Sequence, residues 1–223
     1  MLHMPTQSRS PEVAGFTMVE LLLVMLIITL LAGVGVTAFN SIGQARGVAE
    51  GANQVASAIE LARSEAVSRQ TYVWLALQTQ TNFGSSDLRV GLVYSLDGTA
   101  NTNSTNFASI GKPRLIQRVT LASTASPFNA GANFTNPSTA ADLSTNSGNV
   151  AFTIGTAPFS SARSVTFTPM GEATTIPTVT NGFTPRIAIG LRQTRGANVT
   201  LNNDIAIVID GSVGVATTYQ KAP

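Results

Sequence analysis

The feature that most constrains this chain is an apolar run close to its N-terminus. Residues 21–39 carry no charge, and the next charged residue after Glu20 is Arg46. A helix over residues 16–38, rising about 1.5 Å per residue, spans roughly 34 Å. That length exceeds the roughly 30 Å of a bilayer's hydrocarbon core. The run therefore predicts a membrane-spanning helix rather than the shorter apolar core of a secretory signal peptide.

Glu20 makes this segment more specific than a generic anchor. An ionisable residue within a membrane span is costly and indicates a function by default. Residues 15–22 read Gly-Phe-Thr-Met-Val-Glu-Leu-Leu. This string resembles the processing site of class III signal peptides, found in type IV prepilins and type II secretion pseudopilins. The resemblance combines a cleavable Gly, an aromatic residue after it, a Glu four residues further on, and a following apolar span.

The resemblance implies how the N-terminus is processed. A prepilin peptidase would cut between Gly15 and Phe16, remove residues 1–15 as a leader and methylate the new amine of Phe16. Glu20 would then lie one helical turn into the mature chain. A lone carboxylate is expensive in an apolar core, so we expect Glu20 to pair with the terminal amine of a neighbouring subunit. Thr37 occupies the position where many family members carry a helix-bending Pro, so the resemblance does not decide whether the helix is kinked here.

Residues 40–70 follow with an amphipathic pattern. Apolar residues recur at alternating spacings of four and three, which is typical of one face of a helix that packs on a domain core. The residues of this face are Val48, Ala52, Val55, Ile59, Ala62 and Ala66.

Two further segments narrow the resemblance. Residues 60–66 read Glu-Leu-Ala-Arg-Ser-Glu-Ala, similar to the end of the long helix in the GspH/FimT group of minor pilins and pseudopilins. Residues 164–171 read Ser-Val-Thr-Phe-Thr-Pro-Met-Gly and resemble that group's strand followed by a Gly turn. Taken in order with the N-terminal string, these segments extend the resemblance over most of the chain.

Residues 71–223 predict a head domain of short strands separated by turn residues. The expected strands cover residues 72–77, 89–96, 115–121, 164–168, 186–192 and 204–209, with a C-terminal hairpin around Asp210-Gly211. Polar stretches at residues 99–106 and 129–149 predict exposed loops. The predicted fold class is therefore α+β: a long N-terminal helix, with a transmembrane half (16–39) and an amphipathic half (40–70), packed on an antiparallel β-sheet head.

The composition argues against an enzyme. The chain has no Cys, and its single His, His3, lies in the predicted leader. Neither a Ser-His-Asp site nor a zinc site can therefore be built in the mature chain, and we expect no cofactor. Residues 97–103 place oxygen ligands at alternating positions, as a calcium loop does, but lack the closing Glu.

Nucleic acid is the alternative ligand. The FimT side of the group includes members that bind DNA through basic residues near the C-terminus, whereas the hairpin at residues 211–215 here has no Arg. The candidate contacts are Arg114, Arg118, Arg192 and Arg195, with Arg114 and Arg118 expected on one face of a strand. Such a small set of cations predicts only weak, salt-sensitive binding, and scattered solubilising charges are the favoured interpretation.

The sequence thus predicts a structural subunit, a minor pilin or pseudopilin of a type IV pilus or a type II secretion pseudopilus. Its implied partners are other pilin-like subunits, a prepilin peptidase and the inner-membrane assembly platform. The implied location is the bacterial inner membrane, crossed once, with the N-terminus cytoplasmic and the head periplasmic or extracellular, and then the filament. Two alternatives stay open: a FimT-like pilin that binds DNA, and a signal-anchored exported domain unrelated to pili.

Overall fold

A computed structural model describes residues 17–82, 85–122, 140–146, 149–175, 182–195 and 198–220. The chain divides into two units, Met1–Ile42 and Gly43–Pro223. In chain order the elements are α1 (Met18–Arg69), β1 (Val73–Asn82), β2 (Ser85–Ser95), a 3₁₀ turn (Ser104–Asn106), β3 (Phe107–Ser109), β4 (Arg114–Ile116), β5 (Val119–Ala122), β6 (Ala141–Asp142), α2 (Leu143–Asn146), β7 (Asn149–Ile154), β8 (Ala157–Phe167), β9 (Ala173–Thr174), β10 (Arg186–Arg195), β11 (Asn198–Asp210) and β12 (Val215–Gln220).

The C-terminal part of α1 belongs to the second unit and buries one face. That face consists of the small and β-branched residues Val48, Ala52, Val55, Ile59, Ala62 and Ala66, each at most 1% exposed. Gln70 ends the helix with a left-handed φ of 52°. The amide of Thr71 donates to the carbonyl of Ala66 at 3.2 Å, and the amide of Gln70 donates to that of Val67 at 3.4 Å. This is a Schellman cap with Gln in the place usually taken by Gly.

The first sheet has the strand order β3-β2-β1-β8-β7, with β4 also pairing with β2 and β9 with β8. All its pairs are antiparallel. The second sheet has the order β12-β11-β10-β5, and β6 adds to β10 as a parallel pair. Since β10 lies between β11 and β5, the second sheet joins segments that are far apart in the sequence.

Two core clusters result from the alternation of side chains along β1. Val73, Leu75 and Leu77 point into an aliphatic cluster shared with α1 and the second sheet. Trp74 and Ala76, on the opposite face of β1, belong to a second cluster with the β7–β8 hairpin. That second cluster is rich in aromatic rings, namely Trp74, Phe107, Phe152 and Phe159. The central strand is therefore buried on both faces.

Gly91 in β2 is required by the second cluster. A Cβ placed on Gly91 would lie 2.5 Å from the ring of Phe159 and 3.0 Å from Cδ1 of Ile154. The aromatic hairpin therefore contacts the backbone of β2 directly. The guanidinium of Arg89 donates to the carbonyl of Pro158 at 3.0 Å and so links β2 to the tip of the hairpin.

The predicted fold class, an α+β fold in which a half-transmembrane helix packs on an antiparallel sheet head, is wrong. Strands in two sheets set the architecture, and only the part of α1 from Gly43 onward belongs to the unit that contains them. Within the described part of the chain, none of the helices meets the length and apolarity required of a membrane span. The prediction rests on the length of the apolar run and on the helical periodicity after it. Both describe a single element, and neither indicates how strands from distant segments pair.

Two local predictions also change. The strand expected over residues 115–121 is two strands, β4 and β5, because Arg118 adopts a left-handed φ of 59° and breaks the extended backbone. In the polar stretch 129–149, residues 140–146 contain β6 and α2, and residues 129–139, 147 and 148 lie outside the described residues. The stretch 99–106 ends in the 3₁₀ turn.

Candidate functional site

The described N-terminal segment begins at Thr17, so the predicted processing residues Gly15 and Phe16 lie outside the described residues. The hydroxyl of Thr17 accepts from the amide of Glu20 at 3.3 Å, and the carbonyl of Thr17 accepts from the amides of Glu20 and Leu21 at 3.1 and 3.2 Å. Thr17 is therefore the N-cap of α1. Thr17-Met18-Val19-Glu20 has the spelling of a capping box, a signal that the sequence analysis missed.

Glu20 lies in the first turn of α1 and is exposed. A carboxylate at this position interacts favourably with the positive end of the helix dipole. Among the described residues, no basic side chain forms an ion pair with Glu20. Its position thus stabilises the start of the helix.

The rest of this segment exposes apolar side chains on every face. The exposed fraction of the large apolar residues between positions 18 and 31 ranges from 45% to 87%. They are Met18, Val19, Leu21, Leu22, Leu23, Val24, Met25, Leu26, Ile27, Ile28, Leu30 and Leu31. Consecutive positions of a helix cover its whole circumference, so this is an apolar cylinder and not an apolar stripe.

Polar groups within the cylinder are satisfied internally. The hydroxyl of Thr29 donates to the carbonyls of Met25 and Leu26 at 3.1 and 2.9 Å. A helix whose backbone and hydroxyl groups are bonded internally can enter an apolar environment without losing hydrogen bonds. Apolar side chains exposed on every face are suited to contact with an apolar surface.

Arg192, a predicted nucleic-acid contact, is neutralised within the head. It lies opposite Asp204 in the β10–β11 pair, and its Nε and Nη2 donate to the two carboxylate oxygens at 2.7 and 2.9 Å. Asp204 is fully buried, and the bidentate contact with it raises the pKa of Arg192. Arg192 therefore holds two strands together and has little charge to offer a phosphate.

Two of the other predicted contacts, Arg118 and Arg114, lie outside β10. Arg118 lies in the turn between β4 and β5, where its amide donates to Asp87 Oδ1 at 2.8 Å and its carbonyl accepts from the amide of Thr194 at 2.9 Å. Arg114 is exposed at the start of β4. Arg195 ends β10, and its side chain is outside the described residues. The structure does not place Arg114 and Arg118 on one strand.

Residues 97–103, which resemble a calcium-binding loop in the sequence, form a loop held by hydrogen bonds to Asp97. Asp97 Oδ1 accepts from the amide and hydroxyl of Thr99 at 2.9 and 2.7 Å, from Ser95 Oγ at 2.8 Å and from Asn106 Nδ2 at 2.6 Å. These donors, those of Thr99 first, hold the pKa of Asp97 well below its usual range. The described residues contain no group of three or more acids and histidines that could hold a metal. Through its hydrogen bonds to Ser95, Thr99 and Asn106, Asp97 holds the loop together.

The two segments compared above with the GspH/FimT group, residues 60–66 of α1 and residues 164–171, lie in contact at Arg63. A Cβ on Gly171 (φ 84°) would lie 3.2 Å from Val67 Cγ2 and 3.6 Å from Arg63 Nε. A Cβ on Gly214 (φ 67°) would lie 2.3 Å from the carbonyl oxygen of Gly171 and 3.1 Å from Arg63 Cδ. Two glycine turns therefore close over one arginine of α1. Arg63 Nε is buried without a hydrogen-bond partner in the described part of the chain.

Comparison of the chain with protein-family models, with curated proteins and with solved structures gives no match.

Proposed function

We propose that the protein is a structural subunit, a minor pilin or pseudopilin, that acts by assembly into a helical filament. The observation that carries the proposal is the apolar cylinder of residues 18–31, exposed on all faces and headed by Glu20. Burying one large apolar side chain is worth roughly 1.5–3 kcal/mol. A segment with so many of them exposed needs an apolar cover, which neighbouring subunits would supply in the filament.

The charge pattern of the N-terminus supports the same function. Cleavage between Gly15 and Phe16 would create a cationic amine one turn before Glu20. In the filament the amine of one subunit would meet the Glu20 carboxylate of the next, and the pair would set their axial register. Either charge alone in an apolar core is energetically unfavourable, so a subunit placed in the wrong axial register would destabilise the filament.

The partners follow from this assembly. They would be other pilin-like subunits, a prepilin peptidase, and an assembly platform in the inner membrane. The protein would catalyse no reaction itself. The DNA-binding alternative gains little support, because Arg192 is paired with buried Asp204 and Arg114 and Arg118 lie on different elements.

Processing is tested by the intact mass of the protein after co-expression with and without a prepilin peptidase. We expect a loss that matches residues 1–15 and the gain of one methyl group on Phe16. Gly15→Leu should abolish the cleavage, whereas Gly43→Leu, the same change at a position within α1, should leave it intact. An uncut chain, or a cut beyond Leu31, would remove the basis of the proposal.

Assembly is tested separately with Glu20. Glu20→Gln should be processed normally but should enter filaments far less than the wild type, because the amine of the neighbouring subunit then lacks its partner. Glu60→Gln changes an exposed acid of the same helix and serves as the control. Equal incorporation of both variants would exclude the register role of Glu20.

A further inference from the structure

A groove of about 300 Å³ lies between the C-terminal part of α1 and the segment that joins β3 to β4. Its floor is aliphatic and is formed by Ala58 and Leu61 of α1 and by Val90 and Leu92 of β2. Ala58, Val90 and Leu92 are buried, whereas Leu61 is only half-buried. Of these four floor residues, only Leu61 therefore leaves a substantial part of its apolar surface uncovered.

The rim of the groove is cationic. Lys112 and Arg114 stand at its edge, and both are exposed. No acidic residue is among the described residues that line it, and neither cation forms an ion pair within the described chain. Gly111, with a φ of 71° and open space where a Cβ would be, turns the backbone so that Lys112 comes to the rim. An apolar floor beside two unpaired cations is complementary to an apolar group beside carboxylates.

The sheet edge beside the groove argues against recognition by strand addition. The strands β3 and β4 both pair with β2, and residues 110–113 interrupt them after Ile110 has donated to the carbonyl of Leu92 at 2.9 Å. Pro113 lacks an amide donor, and Lys112 adds charge, two features that protect exposed edges from pairing with another strand. A partner at this edge must therefore be recognised through its side chains and not through main-chain hydrogen bonds.

The size and openness of the groove indicate what kind of partner fits. Its volume is at the lower end of the roughly 300–1,000 Å³ typical of small-molecule pockets, which bury most of their ligand. Here Leu61 and Ile110 stay half-exposed at its mouth. An open groove of this size suits one large side chain of a protein, whose own surface covers what the groove leaves open.

We propose that this groove is a docking site for an acidic protein segment. The segment inserts one large apolar side chain against Leu61 and Leu92, and its flanking carboxylates face Lys112 and Arg114. Nucleic acid fits less well, because two cations neutralise few phosphates and the aliphatic floor offers no aromatic ring for a base to stack on. The proposal does not depend on the filament function, since it uses only residues of the second unit.

The test uses the full-length protein in mild detergent and a fluorescein-labelled ten-residue peptide with one central Leu between four Glu. Binding is followed by fluorescence anisotropy at low salt, with empty micelles as the blank. We expect saturable binding that weakens about fivefold in the variant Lys112→Gln/Arg114→Gln, because each exposed ion pair contributes modestly. Arg186→Gln, which removes an exposed cation of the second sheet, should bind like the wild type.

Two companion probes separate apolar docking from simple charge attraction. A peptide with the central Leu replaced by Ala should bind several-fold more weakly, and one with every Glu replaced by Gln should lose the difference between wild type and double variant. The proposal fails if the Ala peptide binds equally well. It also fails if an oligothymidylate of equal charge competes as strongly as the Leu peptide, or if no saturable binding is seen up to millimolar peptide.

Discussion

The part of α1 that is richer in apolar residues is the one that leaves them exposed: 12 of the 14 residues over 18–31 are apolar, against 10 of the 19 over 48–66. Residues 18–31 carry Leu, Ile, Met and Val on every face, and all of these side chains are largely exposed. Residues 48–66 carry Ala, Val and Ile on one face, and that face is buried in the aliphatic cluster. Total hydrophobicity therefore does not decide where a helix is buried. The distribution around the helix and the size of the side chains decide it.

Small residues explain the burial of the second part. Alanine at positions 52, 58, 62 and 66 brings the helix backbone close to the strands, so that Val55 and Ile59 reach the aliphatic cluster. Large side chains on all faces, as in the first part, cannot all be covered by one sheet. They need a surrounding apolar medium or several neighbouring helices.

The largest expected effect comes from matched truncations in the two parts. Ile59→Ala should lower the free energy of unfolding of the head by about 2–5 kcal/mol, because it opens a cavity at a fully buried position. Ile28→Ala removes the same atoms from a side chain that is 58% exposed and should leave that free energy unchanged. Urea denaturation followed by the fluorescence of Trp74 measures both. Similar losses in the two variants would show that the parts do not differ as described.

A smaller effect is expected from two glycines of α1. Gly47→Ala should stabilise the head by about 0.5–1 kcal/mol, since alanine favours the helix and nothing lies within 4 Å of the new Cβ. Gly51→Ala places its Cβ 3.0 Å from Ile116 Cγ2, so the same gain should be cancelled by crowding. The same urea titration compares them, and a gain for Gly51→Ala as large as that for Gly47→Ala would contradict the close approach.

A local effect is expected at the N-cap. Thr17→Ala should cost about 1 kcal/mol of helix stability in the first turn, because the amide of Glu20 loses its side-chain acceptor. Hydrogen exchange of the first-turn amides should speed up about fivefold, while the urea midpoint of the head stays the same. Thr17→Ser keeps the hydroxyl and should exchange like the wild type. A shift of the urea midpoint would mean that the two parts are energetically coupled.

The smallest effect on stability is expected from a change of pH alone. The pKa values of Asp97 and Asp210 are lowered by hydrogen bonds from Thr99 and Ser212, respectively. A lowered pKa in the folded state adds stability above the unfolded value of about 3.9 and loses it as the pH falls below that value. The urea midpoint of the head should therefore decline below about pH 4, and it should decline less in Asp97→Asn. An unchanged slope in that variant would exclude Asp97 as a cause.

Short-range features of the head could be predicted from the sequence, and long-range ones could not. Short runs of strand-forming residues bounded by turn residues predicted strands at β1, β2, β10 and β11, although with different bounds, because both signals are local. The break at Arg118 was missed, since a left-handed non-glycine residue has no sequence signature. The division into two sheets was missed because it depends on β5 reaching β10 across about seventy residues.

In the candidate site, too, local features could be predicted from the sequence and features that depend on distant residues could not. The Thr17 cap could have been found, because a Thr followed three residues later by a Glu is a recognised signal. The neutralisation of Arg192 depends on the register that sets it opposite Asp204, and the spacing around the β10–β11 turn does not fix that register because of a bulge between Arg192 and Thr194. The groove beside Lys112 requires three elements to be in place and has no signature in the sequence.

The interrupted edge formed by β3 and β4 affects how copies of the head behave when they are crowded together. A continuous edge strand would let neighbouring heads join through main-chain hydrogen bonds, an association that is tight and slow to reverse. With Lys112 and Pro113 in the gap, copies that meet on this side can associate only through side chains. Such contacts exchange quickly, so heads brought side by side on this edge can separate and be rearranged instead of becoming permanently joined.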